Sequence, residues 1–359
     1  MNPEFWNKRK VLITGHTGFK GSWLSLWLNK LGAQVTGFAL APPTQPNLFE
    51  LAGVSGRISS IVGDVRDLEL LRKTISDTQP EIVIHMAAQS LVRLSYDEPV
   101  ATYATNVMGT VNLFEAVRLN PGITKCVLNV TSDKCYENRE WERGYTEDDA
   151  MGGYDPYSSS KGCAELVTSA YRRSFFNDEK FEEHGISLAS ARAGNVIGGG
   201  DWAEDRLVSD IMAGYLDNHR VVIRNPDATR PWQHVLEPLC GYMTLCEHMW
   251  ENGQDYSEGW NFGPLVSSAK PVSWIVDRIA NKLGNDFKWE LDGRAHPHEA
   301  YYLHLDATKA LKKLNWSQKL DLDQTIDWVV EWYRTYKEGG DVGQLTLKQI
   351  EKYEMMVAS

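Results

Sequence analysis

The chain has 359 residues, 42% of them hydrophobic and 24% charged, with a formal net charge of −11. Such a composition fits a globular protein long enough for two lobes. Its acidic balance argues against non-specific nucleic-acid binding and against an anionic membrane surface, and no apolar run reaches the roughly eighteen residues that a spanning helix needs.

From the N-terminus, MNPEFWNKRK is polar, and the apolar run Val11 to Thr14 behind it is too short for a signal segment. Lys10–Thr14 reads as a strand and Gly21–Lys30 as a helix with Trp23, Leu24, Trp27 and Leu28 on one face. Strands follow at Gln34–Leu40, Ile58–Val62 and Glu81–His85, with helical periodicity at Leu68–Ser76 and Val107–Arg118. Lys125–Val130 is the next strand, then a helix from about Tyr157 to Phe176, then a strand at Leu188–Arg192. Alternating strands and helices predict an α/β fold, a doubly wound parallel Rossmann sheet with a smaller C-terminal α/β substrate lobe. Past about residue 193 Gly, Asp, Trp and Pro become frequent, and clear helices resume only at 239–250, 272–283 and 322–336. The five cysteines are odd in number and lack a C-x-x-C pair, which fits free thiols in a reducing cytoplasm.

The first strand runs into Gly15-His16-Thr17-Gly18-Phe19-Lys20-Gly21 and then a helix. A glycine string between strand and helix permits a sharp turn and lets a pyrophosphate rest on the helix N-terminus. The spacing TGxxGxxG resembles the extended branch of the short-chain dehydrogenase/reductase superfamily. That resemblance implies a nicotinamide dinucleotide held by Gly15, Thr17, Gly18, Phe19 and Gly21, by Asp64 and Val65 after the third strand, and by Ala87, Ala88 and Gln89 after the fourth. Asn106, in a stretch like NVxGT, and Thr131 complete the implied cofactor set, together with Tyr157 and Lys161. The second strand ends Phe38-Ala39-Leu40-Ala41-Pro42-Pro43 without the carboxylate that usually meets the ribose of NAD. NAD and NADP therefore both stay open on contacts, with Lys20 and His16 as candidates for a 2′-phosphate. A reaction that returns its own hydride favours NAD.

Tyr157 and Lys161 lie four apart, on one face of a helix. A tyrosine, with a pKa near 10, becomes a base at neutrality only if positive charge stabilises its phenolate. Upstream, Thr131-Ser132-Asp133-Lys134 stands at the carboxyl end of a strand, the edge where open α/β sheets collect ligands. Simple oxidoreductases of the superfamily need only the hydroxyl. The set Ser132, Asp133, Lys134 resembles that of nucleotide-sugar 4,6-dehydratases, which require an acid because hydroxide leaves poorly from C6 unless protonated. Asp133 would be that acid. The dTDP-glucose enzymes of the family place Glu where Lys134 stands, so Lys134 is either a C5 base with a pKa depressed from about 10.4 or a charged stabiliser of the enolate. With GHTGFKGSWL and TSDKCYEN, the lysine resembles the cytidine-diphosphate branch of the family, and the likeness runs end to end.

A diphosphate asks for positive groups, arginine best. Asn195, Arg206, Arg230, Arg294 and His296 fall in segments resembling the family's sugar-nucleotide contacts, and Ser90 and Arg93 stand within reach of the hexose or phosphate. His296-x-His298 lacks a third ligand at suitable spacing, so no metal is expected. The tryptophan pairs Trp23 with Trp27 and Trp328 with Trp332 read as packing. Residues 1–192, with a return segment at about 231–262, are expected to form the NAD-binding domain, and 193–230 with 263–359 the nucleotide-sugar lobe. The family dimerises through the helices at 107–118 and 157–176, which implies a homodimer or a dimer of dimers, with no nucleic-acid or membrane partner. Three rival functions remain: a nucleotide-sugar 4-epimerase, which has no use for an acid after Ser132, a 4,6-dehydratase of another nucleotide, and a non-catalytic protein that senses NAD(H).

Overall fold

The computed structural model describes residues 1–284, 289–292 and 302–358. Twelve strands are described: β1 (Lys10–Thr14), β2 (Gln34–Ala39), β3 (Ser59–Val62), β4 (Ile82–His85), β5 (Cys126–Val130), β6 (Ser187–Ala193), β7 (Asn195–Ile197), β8 (Val221–Ile223), β9 (Thr229–His234), β10 (Gly259–Phe262), β11 (Ala269–Pro271) and β12 (Trp289–Leu291). The longer helices are α1 (Phe19–Lys30), α2 (Leu68–Thr78), α3 (Gly109–Arg118), α4 (Pro156–Ser174), α5 (Leu207–Asp217), α6 (Leu236–Glu251), α7 (Val272–Leu283), α8 (Leu322–Lys337) and α9 (Val342–Ala358).

Seven strands form one sheet in the order β10-β6-β5-β4-β1-β2-β3, every pairing parallel. Helices cover both faces of such a sheet, so its central strands are continuous runs rather than alternating ones: all residues of β4, β5 and β6 are buried. The strand order reverses between β1 and β4, which opens a crevice at the carboxyl ends of those strands. On the far side, β10 adds to β6 through a chain that has passed through α6.

The remainder is built from short pieces. β7 pairs parallel with β9, β11 runs antiparallel to β9, and β8 pairs with β12. α5 and α9 lie where no regular apolar period marked them. The tryptophans are packing residues, as expected: Trp23, Trp27 and Trp332 have no exposed surface, and each indole N–H has a partner (Gly199 O, Glu354 Oε1 and Thr346 Oγ1). The Trp27 bond lays α9 on α1, and buried Glu237 fastens the same helix by accepting from Tyr353 Oη and from the backbone N–H groups of Lys319 and Leu320.

Candidate active site

One cavity of about 670 Å³ lies across the carboxyl ends of β1, β4, β5 and β6. Its floor begins at the Gly-rich turn. Gly15 has φ +79°, and a Cβ there would stand 2.7 Å from Ala87 N, so neither the turn nor its contact with the β4 loop tolerates a side chain. Gly18 caps α1 in an extended conformation, and the turn leaves the N-terminal amides of the helix facing the cavity with Thr17, Phe19 and Gly21. Asp64, Val65, Ala87 and Ala88 line the same end. This narrow, amide-rich trough fits a dinucleotide pyrophosphate.

Gln89 and Asn106 stand behind that wall, not in it. The Asn106 amide accepts from Gln89 N–H at 2.8 Å and donates to Gln89 O and Ser160 Oγ. The Gln89 side chain is spent on Leu91 and Thr102. Asn106 belongs to a π-helical turn, Ala104–Met108, a local widening that turns its amide onto the β4 loop. Both residues shape the cofactor end from outside.

Neither candidate for a 2′-phosphate keeps that role. His16 is fully buried, its ring over Gly37 and edge-on to Phe49 at 5.3 Å, with Nε2 bonded to Ser60 Oγ at 2.7 Å. Burial lowers its pKa to about 4, so it is neutral. Lys20 turns the other way, towards the reacting groups, and donates to Tyr242 Oη at 3.1 Å. Burial first, then the charges of Lys161 and Arg206, bring its pKa down to about 7. Sequence reading missed this placement, although a lysine in the first turn of an otherwise apolar helix was the signal.

The chemistry-bearing side chains come from β5 and α4. Asp155 caps α4 by accepting from Ser158 N–H, and Pro156 fixes the first turn, which sets Tyr157, Lys161 and Glu165 on one face. At the end of β5, Ser132 Oγ donates to Asp133 Oδ1 at 2.9 Å and accepts from Lys134 N–H. Ser132, Asp133, Tyr157 and Lys161 are each at most 8% exposed, so desolvation sets their protonation. Burial raises the Asp133 carboxyl above its ordinary range, against the charges of Lys134 and Arg230. Tyr157 is lifted to about 12 by burial despite the nearby Ser132 hydroxyl, and Lys161 is lowered to about 8. Lys161 Nζ also reaches Val130 O at 3.3 Å. Thr131 lines the cavity while its hydroxyl donates to Glu165 Oε1 at 2.5 Å.

Glu165 itself was not foreseen. It also takes Ser190 Oγ and the Arg192 guanidinium, at 2.6 and 2.8 Å, in a buried pair. Burial would raise its carboxyl, but Arg192 and these hydrogen bonds outweigh burial and hold it low.

The opposite wall carries Ser90, Arg93, Asn195, Arg206, Arg224 and Arg230. Arg206 donates to Ser90 Oγ at 2.8 Å and pairs with Asp201 at 2.9 Å, while Arg93 faces Asp205 at 3.5 Å. Counting charged side chains around the cavity gives seven cations (Lys20, Arg93, Lys134, Lys161, Arg206, Arg224, Arg230) against five carboxylates (Asp64, Asp133, Asp201, Asp205, Asp210), the reverse of the chain's overall sign. Arg294 and His296 lie outside the described residues.

The family model described as GDP-mannose 4,6 dehydratase matches residues 12–329. A CDP-glucose 4,6-dehydratase of Salmonella typhimurium is 54% identical over 98% of both chains. The chain belongs to the GDP-mannose 4,6 dehydratase family and is a hydro-lyase. A more distant relative in this family, a dTDP-glucose 4,6-dehydratase of Streptomyces antibioticus, is 27% identical over 90% of this chain and 92% of its own. Among solved structures, the dTDP-glucose 4,6-dehydratase of Bacillus anthracis in complex with NAD superposes with TM-score 0.75 at 23% identity, covering 92% of this chain and 98% of that one. That likeness is one of overall fold. No described helix is long and apolar enough to cross a membrane.

Proposed function

We propose that this dehydratase converts CDP-D-glucose to CDP-4-keto-6-deoxy-D-glucose with NAD as resident cofactor, in the cytoplasm, supplying deoxysugar biosynthesis of the O-antigen kind. The observation that carries the reaction is Asp133: a buried carboxyl with a raised pKa, tied to Ser132 beside Tyr157. A 4-epimerase has no leaving group to protonate and no use for such an acid. The cytidine substrate rests on the whole-chain likeness to the Salmonella enzyme. NAD rather than NADP is supported by His16 being neutral and Lys20 facing the reacting groups, which leaves neither for a 2′-phosphate.

Tyr157 takes the proton from the O4 hydroxyl, which Ser132 orients. Lys161, beneath it on α4, holds the phenolate charge. With C4 a ketone the C5 proton is acidic. Lys134, as a neutral amine, takes it and returns it to C5 when hydride reaches C6, or, staying charged, steadies the enolate oxygen while a solvent water accepts that proton and gives it back. Asp133 gives its proton to the departing C6 hydroxyl, so water leaves and Asp133 becomes a carboxylate. NAD, when bound, supplies the hydride acceptor for C4 and the donor for C6, and its positive ring favours the Tyr157 phenolate. Asn195, Arg206 and Arg230 hold the sugar diphosphate, with Ser90 and Arg93 at the rim.

We assign cofactor binding to residues 1–192 with 231–262, supported by α6 and β10 packing against β5 and β6, and the nucleotide sugar to 193–230 and 263–359. Val100, Met108 and Leu166, 82%, 51% and 60% exposed on adjoining helices, support assembly as a homodimer or a dimer of dimers.

The test incubates purified protein with CDP-glucose, dTDP-glucose, UDP-glucose or GDP-mannose and trace NAD, reading the alkaline ultraviolet absorbance of 4-keto-6-deoxy sugars. Product from CDP-glucose alone, without net NADH, is expected. Product from another nucleotide overturns the cytidine assignment, and inversion at C4 without water loss overturns the dehydratase reading.

A further inference from the structure

From Tyr157 and Asp133 the cavity extends in two directions. One arm follows the Gly-rich turn to Asp64 and Val65, and the dinucleotide claims it. The other passes Arg206 and Arg230 and ends between α5, β8 and the start of α7. Arg206 lies close enough to Tyr157, and Arg230 to Asp133, for their charges to act on those groups. They therefore stand at the hexose and diphosphate, and whatever the diphosphate carries on its other side must fill the end of this second arm.

The end of the arm has the character of a site for a flat heterocycle. Val208, Val221 and Ile223 are 5%, 3% and 2% exposed, and with Val272 they give it aliphatic walls. Set among them are Asp210 and Arg224. Arg224 is anchored from behind by Asp205, with Nη1 at 2.7 Å, while its Nη2 stands 3.8 Å from the Asp210 carboxylate, beyond hydrogen-bonding distance. Asp210 is fixed by its place in the first turn of α5. The Asp205 backbone N–H binds its carboxylate, which leaves acceptor positions open to the cavity. A carboxylate beside a guanidinium presents one acceptor group next to donors.

We infer that Asp210, paired with Arg224, selects the base of the nucleotide sugar among the pyrimidines, its carboxylate accepting from the exocyclic amine of cytosine while Arg224 donates to the ring acceptors. The inference rests on the proposed function, in that the second arm holds a nucleotide. Cytosine offers an N4 amine donor beside the N3 and O2 acceptors, which complements the pair. Uracil and thymine place the O4 acceptor where that amine would be and a donor at N3, so each would set oxygen against carboxylate and N–H against guanidinium. Burial brings the Asp210 pKa up to about 6, with Arg224 opposing, so near neutral pH the group is mainly ionised and only accepts. A base contact of this kind discriminates on the order of 10- to 100-fold.

The experiment measures dissociation constants of CDP and UDP by titration calorimetry on the NAD-loaded full chain, for the wild type and for Asp210→Asn. The wild type should prefer CDP by about 10- to 100-fold. The Asn amide both accepts and donates, so it should bring the two ligands within about threefold of each other, by weakening CDP and admitting UDP. A CDP preference that survives Asp210→Asn overturns the inference and leaves the proposed substrate intact. Equal binding of CDP and UDP by the wild type removes the inference and the cytidine assignment together, while the dehydratase assay stands separately. A ligand-side test needs no variant: N4,N4-dimethylcytidine diphosphate, which lacks the donor, should bind the wild type at least about 10-fold more weakly than CDP. Equal binding of the two overturns the inference.

Discussion

The two walls of the cavity both carry charges but hold them differently. On the sheet side, Asp133, Lys161 and Glu165 are almost completely buried at a strand end and on a long helix. On the opposite wall, Arg93, Arg206 and Asp205 are about a third exposed; Asp205 faces Arg93, and Arg206 is paired with the nearly buried Asp201. Desolvation raises Asp133 and lowers Lys161 on the first wall, whereas on the second the Asp201 charge raises Arg206. A group that must exchange a proton during turnover gains from the buried wall. A group that must release and recapture a charged ligand gains from the wetter one.

The buried wall also contains its own contrast. Asp133 and Glu165 are both inside, yet the first is raised and the second lowered. The difference is Arg192: Glu165 has a guanidinium at 2.8 Å and two hydroxyl donors, whereas Asp133 accepts from the Ser132 hydroxyl. Glu165 is thereby a permanent anion beneath Lys161, and Asp133 is a carboxyl poised to be an acid.

The sharpest way to break the comparison is Asp133→Asn. It should lower the rate of water elimination by about 10² to 10⁴-fold while C4 oxidation proceeds, seen as a transient NADH absorbance that no longer decays. Equal loss of both steps would show that Asp133 is not the acid. Its raised pKa fixes the sign of the pH dependence: the acid form is needed, so kcat should fall as pH rises through that value and stay level below it until other groups titrate.

Glu165→Ala tests the framework of the same wall. It strands Arg192, a buried guanidinium, and should cost about 3–5 kcal/mol of unfolding free energy in denaturant titration. A loss below 1 kcal/mol would mean that water reaches Arg192 and the wall is not dry.

The smallest effect belongs to the wet wall. Arg230→Lys keeps the charge and loses the planar fork, so kcat/KM should fall by about 5- to 10-fold through KM, with kcat little changed and added salt widening the gap. A fall in kcat of comparable size would place Arg230 among the reacting groups and erase the distinction between the walls.

The sequence determined the sheet side almost by itself. Continuous apolar strands, the Gly15–Gly21 turn and the Tyr157–Lys161 spacing are local patterns, and local patterns survive in one dimension. Glu165 was legible in principle, four residues past Lys161 on the same helix face, but nothing adjacent announces its partner, since Arg192 arrives from β6. Only the tertiary structure decided that Gln89 and Asn106 brace the cofactor end from behind, that His16 is a neutral packing residue, and that Lys20 faces the catalytic groups. It alone brought Arg224 to Asp210 and Asp205 across a bend between α5 and β8. The physical reason is the length scale of each interaction. Backbone turns and helix faces are fixed by neighbours within four residues, whereas burial and the charges that set a pKa come from groups far apart in the chain.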